Sequence, residues 1–376
     1  MLSNNDLYTH NLFPYPAKFP ALPIRKHIEK YSFKGDTILD PFCGSGTVLV
    51  EALLNDRNAF GIELNPVAVR VSKAKTNVYA TQDTDLIAEI IGELKEIEEN
   101  RDRWISQTIE NNDIPKYKNI ELWFKENMLF ELTALKKYFI NKSSINRRLN
   151  ELLWMALLKI IVPVSNQDTD TRYTAVEKDS LVDGYAIQLF RKTLEDYHSV
   201  ILKRLPLINS KNSIIKVIEG DVNENIVKIN NNSIDMVITS PPYINTYDYY
   251  LYHKQRIFWL GENPQEIRRQ EIGCHHRVDS MSYEKALNEY TTNMDKLFRR
   301  IHEKLKIGKY FIMLIGDGIV KDKMVYADKL ISEIALNNGF SVEHIDTISL
   351  KEVSRGFIKG RNSDKKKHHV IVMRGR

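Results

Sequence analysis

Short apolar runs separated by stretches of helical spacing recur in two blocks along the chain, and between the blocks the strand-like runs disappear. In the first block, Thr37 to Phe42 and Ala59 to Leu64 read as strands and Thr47 to Leu54 as a helix. A further helix opens at Asn65-Pro66, because a first-turn proline gives up an N–H that the helix does not use. The second block supplies Ile214 to Ile218, Asp235 to Thr239, Lys309 to Ile315, Val342 to Leu350 and His369 to Met373 as strands. Within it, Tyr283 to Leu305 repeats apolar residues at positions 286, 287, 290, 294, 297, 298, 301 and 305, the three-and-four spacing of one buried helical face. Tyr326 to Asn337 forms another helix. Continuous apolar strands alternating with helices predict an α/β fold around a parallel sheet covered on both faces.

From about Ala80 to Ser210 the spacing is helical throughout. Glu89 to Glu99 is charged, Ile120 to Phe139 and Gln188 to Leu205 are amphipathic, and Leu149 to Ile161 is nearly all apolar. An inserted α-helical subdomain is therefore expected at residues 80–210, flanked by the two parts of a catalytic domain at 1–79 and 211–376.

Two strand ends carry the candidate chemistry. Thr37 to Phe42 runs into Asp40-Pro41-Phe42-Cys43-Gly44-Ser45-Gly46, a glycine turn that lets backbone approach a ligand at the carboxyl edge of a sheet. Glu63 closes the next strand and Asp221 the one after, carboxylates suited to a ribose and an adenine amino group. A dinucleotide site fits less well, since the third position of Gly-x-Gly-x-x-Gly is Leu49, and a phosphate loop lacks its Gly-Lys-Ser/Thr. An adenosine cofactor without a pyrophosphate fits best.

The second strand end is Thr239-Ser240-Pro241-Pro242-Tyr243. An exocyclic amine on a nucleobase is a poor nucleophile, because its lone pair is delocalised into the ring. A catalyst must hold both N–H bonds and bend the nitrogen toward tetrahedral geometry. Ser240 offers a side-chain oxygen and Pro241 a carbonyl, aimed by prolines with fixed φ, and Tyr243 offers an aromatic face for an extruded base. Attack through ring carbon 5 needs a cysteine nucleophile beside the base, and neither Cys43 nor Cys274 is so placed.

Composition sets outer limits. A 376-residue chain that is 43% hydrophobic and 27% charged has the make-up of a globular protein of two domains or one elaborated domain. Its longest apolar run, Leu152 to Val164, is broken by Lys159 and falls short of the roughly 20 residues that span a bilayer. No export signal is apparent and two cysteines make no disulfide framework, so a cytoplasmic protein with no membrane segment is expected. Net charge is +5, and nine Lys/Arg between Leu350 and Arg376 face Glu352 and Asp364. That excess serves either as a phosphate footprint or as a solvated tail.

Together the motifs resemble the amino-group DNA methyltransferases, the cytosine-N4 and adenine-N6 family with a Rossmann-like, seven-stranded class I methyltransferase sheet. The resemblance covers residues 10–79 and 214–376. Phe42-Cys43-Gly44-Ser45-Gly46 is similar to the family's motif I, Ser240 to Tyr243 to its motif IV, and Phe13-Pro14-Tyr15-Pro16-Ala17-Lys18-Phe19 to the element that cradles the methionine end of the cofactor. It implies S-adenosyl-L-methionine bound by Lys18, Asp40, Phe42, Gly44, Gly46, Thr47, Glu63 and Asp221, and catalysis by Ser240, Pro241, Pro242 and Tyr243. Serine in motif IV is similar to most cytosine-N4 members, while adenine N6 and an RNA base stay open as alternatives. Double-stranded DNA is the expected partner, with a cognate restriction endonuclease in a restriction-modification setting. The motif order is similar to the class whose target-recognition region lies between motifs I and IV. Expected DNA contacts are Asn166, Gln167 and Arg172 in the insert, Tyr247, Lys254 and Arg256 after motif IV, and Lys365, Lys366 and Lys367 in the basic tail. His275-His276-Arg277 reads as a phosphate contact or a solvated loop; a metal site there lacks further spaced ligands.

Overall fold

The computed structural model describes residues 8–16, 18–110, 112–142, 145–208, 212–349 and 366–376. The chain divides into two compact units.

One unit takes in Phe19–Asn65, Asn212–Tyr249 and Gln265–Arg376. Its main sheet has seven strands: β1 (Thr37–Asp40), β2 (Asn58–Glu63), β3 (Ile215–Glu219), β4 (Ile234–Thr239), β5 (Leu305–Gly316), β6 (Phe340–Ser349) and β7 (Lys367–Gly375). They lie in the order β6-β7-β5-β4-β1-β2-β3. The pairings β3-β2, β2-β1, β1-β4 and β4-β5 are parallel, and β7 runs antiparallel between β5 and β6. This is the strand order of the expected Rossmann-like class I methyltransferase sheet.

Successive residues of a strand face opposite sides, and the two apolar clusters follow that alternation. Ile38, Met236, Ile238, Ile312 and Val372 meet Ile24 and Ile28 of α1 (Ala21–Tyr31) and Val48, Leu49 and Ala52 of α2 (Thr47–Leu54). Leu39, Val237, Phe311, Met313 and Ile371 meet the other side, where α3 (Tyr283–Lys304) brings Tyr290, Met294, Leu297 and Phe298 and α4 (Ala327–Asn337) brings Ile331 and Ile334. The start of α3 is fixed by Ser282, whose hydroxyl accepts from the Lys285 N–H. Chain direction makes the functional point: β1, β2 and β3 build outward one way and β4 and β5 the other. The order reverses between β1 and β4, and the carboxyl ends of strands at such a switch point are where ligands of open α/β sheets bind.

The other unit takes in residues up to Lys18, Pro66–Lys211 and Tyr250–Pro264. Its main helices are Pro66–Thr76, Thr81–Glu99, Glu126–Asn141, Arg147–Ile160, Tyr185–Ile208 and Lys254–Leu260. Phe139, Leu152, Met155, Leu158, Phe190 and Leu194 are fully buried among them. The buried Glu131 carboxylate accepts from Arg101 Nε at 2.7 Å and from the N–H groups of Gly184 and Ala186, which ties two segments, those of Glu131 and Arg101, to the start of the helix Tyr185–Ile208.

Two local expectations change. Within the expected all-helical stretch, Gln167–Thr169 and Arg172–Ala175 pair as an antiparallel hairpin. Its strands are short and polar, so apolar periodicity does not mark them. The aromatic and apolar stretch Tyr249 to Leu260 reads as one helix, and it forms instead as two pieces, Tyr249–Tyr252 and Lys254–Leu260. Among the described residues no helix is long and apolar enough to cross a membrane.

Candidate active site

The glycine turn sits at the carboxyl end of β1. Gly44 and Gly46 have φ of 48° and 82°, in the left-handed region where a side chain is strained. Gly46 precedes α2 and offers no side chain to cap it, so the first N–H groups of α2 face the turn without a side-chain acceptor from that position. Thr47, the first residue of α2, is buried.

Glu63, at the end of β2, accepts from the Gly44 N–H at 2.8 Å and the Asn65 N–H at 2.7 Å, one bond to each carboxylate oxygen. It braces the turn from the neighbouring strand. Burial pushes its carboxyl up to about 7, against the pull of those two backbone donors. Asp221, just beyond β3, caps the one-turn helix Val222–Asn225, its Oδ1 accepting from Asn223 and Glu224 N–H. Turn, Glu63 and Asp221 thus stand at the ends of three adjacent strands.

Ser240 to Tyr243 follow β4, the strand beside β1. The carbonyl of Pro242 accepts from Tyr290 Oη at 2.9 Å, so α3 holds the tetrad from behind. Tyr243 is 9% exposed. Its ring meets His368 edge-on at 5.4 Å between centroids and lies 6.1 Å from the tilted ring of Tyr247. A Cβ on Gly316 would come within 2.7 Å of the Tyr243 ring, so a glycine at the end of β5 makes room for it. Burial pushes the Tyr243 phenol well up, and a hydrogen bond with Ser240 pulls it part of the way back. The expectation of a free stacking face at Tyr243 is corrected: the ring is seated against β5 and β7 and forms a wall.

Strand ends β1 and β4 are joined directly. Asp40 Oδ1 accepts from Thr239 Oγ1 at 2.6 Å and from the Phe42 N–H at 3.1 Å. Burial pushes the Asp40 carboxyl up to about 7, opposed by those two bonds.

The segment after the tetrad is clamped by its neighbour. Asn245 donates its N–H to Gly273 O at 2.9 Å and its side-chain amide to Ile319 O at 2.6 Å. Asp248 accepts from Cys274 Sγ and His276 N–H and bonds His276 Nδ1; the Glu271 carboxylate accepts from the Tyr249 N–H. His276 is committed to this clamp, while Arg277 pairs elsewhere, with Glu289 and the Arg269 carbonyl.

Of the residues expected on DNA, Tyr247 lies in the sheet unit, half-buried between Tyr243 and Tyr249. Lys366 is half-buried and Lys367 exposed at the start of β7; Lys365 lies outside the described residues. In the helical unit, Arg172 is exposed at the hairpin and pairs with Asp168 at 3.1 Å. Lys254 sits 4.8 Å over the Tyr173 ring. Asn166 donates to Leu122 O at 3.0 Å. Two expectations are corrected by burial. Gln167 is fully buried and donates to Thr169 O at 2.8 Å. Arg256 is also fully buried, donating to Leu158 O at 2.7 Å and pairing with Asp170, so neither presents its polar end to a duplex.

Lys18 belongs to the helical unit, where its ammonium donates to His10 O at 2.9 Å. In that unit Tyr15 stacks on His253 at 4.9 Å, and Arg256 lies 5.2 Å over Phe13. Ala17 of the same segment lies outside the described residues.

Sequence reasoning missed Thr239, Tyr290, Gly316 and His368. Thr239 had a signal: a hydroxyl closing the apolar run of Met236, Val237 and Ile238, beside an equally isolated Asp40 at the end of β1.

Comparison with known proteins bears on the same segments. The profile of the N6/N4 methyltransferase family, described as DNA methylase, matches residues 2–74, which include the glycine turn and Glu63. The chain is 26% identical over 320 residues to the type II methyltransferase M.BsoBI of Geobacillus stearothermophilus, covering 77% of this chain and 60% of that protein. It is 23% identical over 209 residues to the type II methyltransferase M.MjaII of Methanocaldococcus jannaschii, covering 54% and 38%. The chain thus spans less than two thirds of the length of either relative. A solved S-adenosylmethionine-dependent methyltransferase from Methanosarcina mazei superposes with a TM-score of 0.34 at 8% identity, over 96% of this chain and 98% of that one.

Proposed function

From the premise that this chain belongs to the amino-group DNA methyltransferase family, we propose that it methylates the exocyclic N4 of a cytosine turned out of double-stranded DNA. The carrying observation is the pairing, at one switch point, of a positive-φ glycine turn on β1 with Ser240-Pro241-Pro242-Tyr243 on β4.

The residues present suit an adenosine cofactor. The turn leaves backbone exposed for close approach, Glu63 and Asp221 supply acceptors on consecutive strands, and nothing in the turn is built for a pyrophosphate. In this reading Gly44, Gly46, Thr47, Phe42, Glu63 and Asp221 hold S-adenosylmethionine, with Asp40 shaping the turn from beneath. Lys18 is proposed for the methionine end. When bound, the cofactor supplies a sulfonium-activated methyl group.

Everything else is the work of the chain. Ser240 Oγ and the Pro241 carbonyl accept the two N–H bonds of the target amine and draw its lone pair out of the ring plane. Their dipoles then meet the positive charge that grows on nitrogen. Tyr290 holds the Pro242 carbonyl and keeps the tetrad from relaxing. Tyr243 walls the base pocket, and Tyr247, half-buried beside it, gives the base a surface to stack on.

Serine in the tetrad supports cytosine N4 over adenine N6, since it resembles the majority of N4 members. A restriction-modification role, with a partner endonuclease, follows the type II relatives. The test is mass spectrometry of nucleosides from DNA incubated with the protein and isotope-labelled S-adenosylmethionine. N4-methylcytosine is expected. N6-methyladenine in its place overturns the base assignment, and unlabelled DNA overturns the activity.

A further inference from the structure

The switch point contains a joint that neither motif accounts for. Asp40 is 3% exposed and Thr239 1% exposed, and each is a polar side chain at the end of a strand whose neighbouring positions are apolar. A buried hydroxyl or carboxylate without a partner is destabilising. Here each satisfies the other at 2.6 Å. The same Asp40 oxygen accepts from the Phe42 N–H, so a single atom is bonded both to the glycine turn and to the residue immediately before Ser240.

We propose that Asp40 and Thr239 form a positioning pair, which sets the distance between the cofactor turn and the amine-holding oxygens without touching either ligand. This rests on the methyl-transfer reading above and deepens it. It also moves Asp40 from the set of cofactor contacts to a residue that acts through Thr239. In-line transfer depends steeply on the separation of the reacting atoms, and a misplacement of about 1 Å can cost ~100-fold in rate. β1 and β4 are paired through Ile38 and Leu39 with Met236 and Val237, short of the strand ends. Beyond that ladder the Asp40–Thr239 bond is what fixes the two ends against each other.

Thr239→Val keeps the shape and removes the hydroxyl. It should lower turnover at saturating S-adenosylmethionine by about tenfold or more, with the calorimetric affinity for S-adenosylmethionine held within about twofold. Thr239→Ser should recover most of the lost turnover. Asp40→Asn keeps an acceptor at the Oδ1 position and should retain far more turnover than Asp40→Ala. The Asp40→Ala/Thr239→Val double variant should be no slower than the slower single variant, because each substitution already removes the bond between the two residues.

Wild-type turnover in Thr239→Val overturns the proposal. So does an equal loss of cofactor affinity and turnover, which would make the pair part of the cofactor site, and so does a double variant whose loss is the product of the two single losses. If thermal unfolding shows Thr239→Val to be misfolded, Thr239→Ser and Asp40→Asn measured against Asp40→Ala decide: turnover in both conservative variants as low as in Asp40→Ala sinks the idea. A wild-type protein that methylates no DNA is seen before any variant is compared, so failure of the underlying reading is separate.

Discussion

Two carboxyls at the strand ends, Glu63 and Asp40, are held in the interior at an energetic cost. Each carboxyl is held by burial near 7 in the folded chain, against ordinary values of 4.5 and 3.8. Between those ordinary values and about 7 these two groups bind more protons in the folded chain than in the unfolded one, so their contribution to stability falls as pH rises through that window. Glu63→Gln removes one such group, so the melting temperature of that variant relative to wild type should rise from pH 5 to pH 7.5, measured by calorimetric scans without cofactor. An identical slope in both proteins would show that Glu63 is ionised in the folded state at pH 5. Ser240 allows a cleaner test of function than Tyr243. Ser240→Ala should bind S-adenosylmethionine as wild type does and lose methyl transfer. Tyr243→Ala would in addition empty a seated ring site and cost about 3 kcal/mol of stability. Retained methylation by Ser240→Ala would remove the tetrad from the mechanism.

At the scale of elements, legibility followed burial pattern. The core strands are readable because a parallel strand covered on both faces is apolar along its middle, as at Met236, Val237 and Ile238. α3 was readable from its repeating face. The hairpin at Gln167–Thr169 and Arg172–Ala175 was not, since polar strands of three and four residues carry no periodic signal. The placing of Arg256 failed for a related reason. A cation beside Lys254 looks solvent-facing in sequence, and the partner that draws it inward, Asp170, lies 86 residues away. Burial changes what its removal should do. Arg256→Ala strips the Leu158 carbonyl and Asp170 of their donor and should destabilise the protein by about 3 kcal/mol. Lys254→Ala, at a half-buried position, should leave the melting temperature nearly unchanged. Equal melting temperatures for the two variants, from parallel thermal scans, would contradict the interior placement of Arg256.

Across the whole molecule the question is which part reads bases and which part grips phosphate. The catalytic positions of the proposed mechanism lie in the sheet unit, apart from Lys18, and the 80–210 insert lies within the helical unit. We therefore propose the insert as the target-recognition region, with Arg172 its most exposed reader now that Gln167 proves to be interior. Lys366 and Lys367 stand instead at the start of β7, where a charge binds phosphate without regard to sequence. The two roles separate in measurement. Each lost phosphate contact lowers the slope of log affinity against log salt by about 0.9 on duplex DNA. Lys366→Gln/Lys367→Gln should thus flatten the salt dependence by up to about two such steps and weaken all sequences alike, leaving the methylated motif as it was. Arg172→Ala should act oppositely, with a salt slope changed by no more than one step and a relaxed or altered motif. Fluorescence titrations across a salt series and methylome sequencing of cells carrying each variant supply both readouts. An altered motif from the lysine variant together with an unaltered one from Arg172→Ala would move recognition from the helical insert to the end of the sheet.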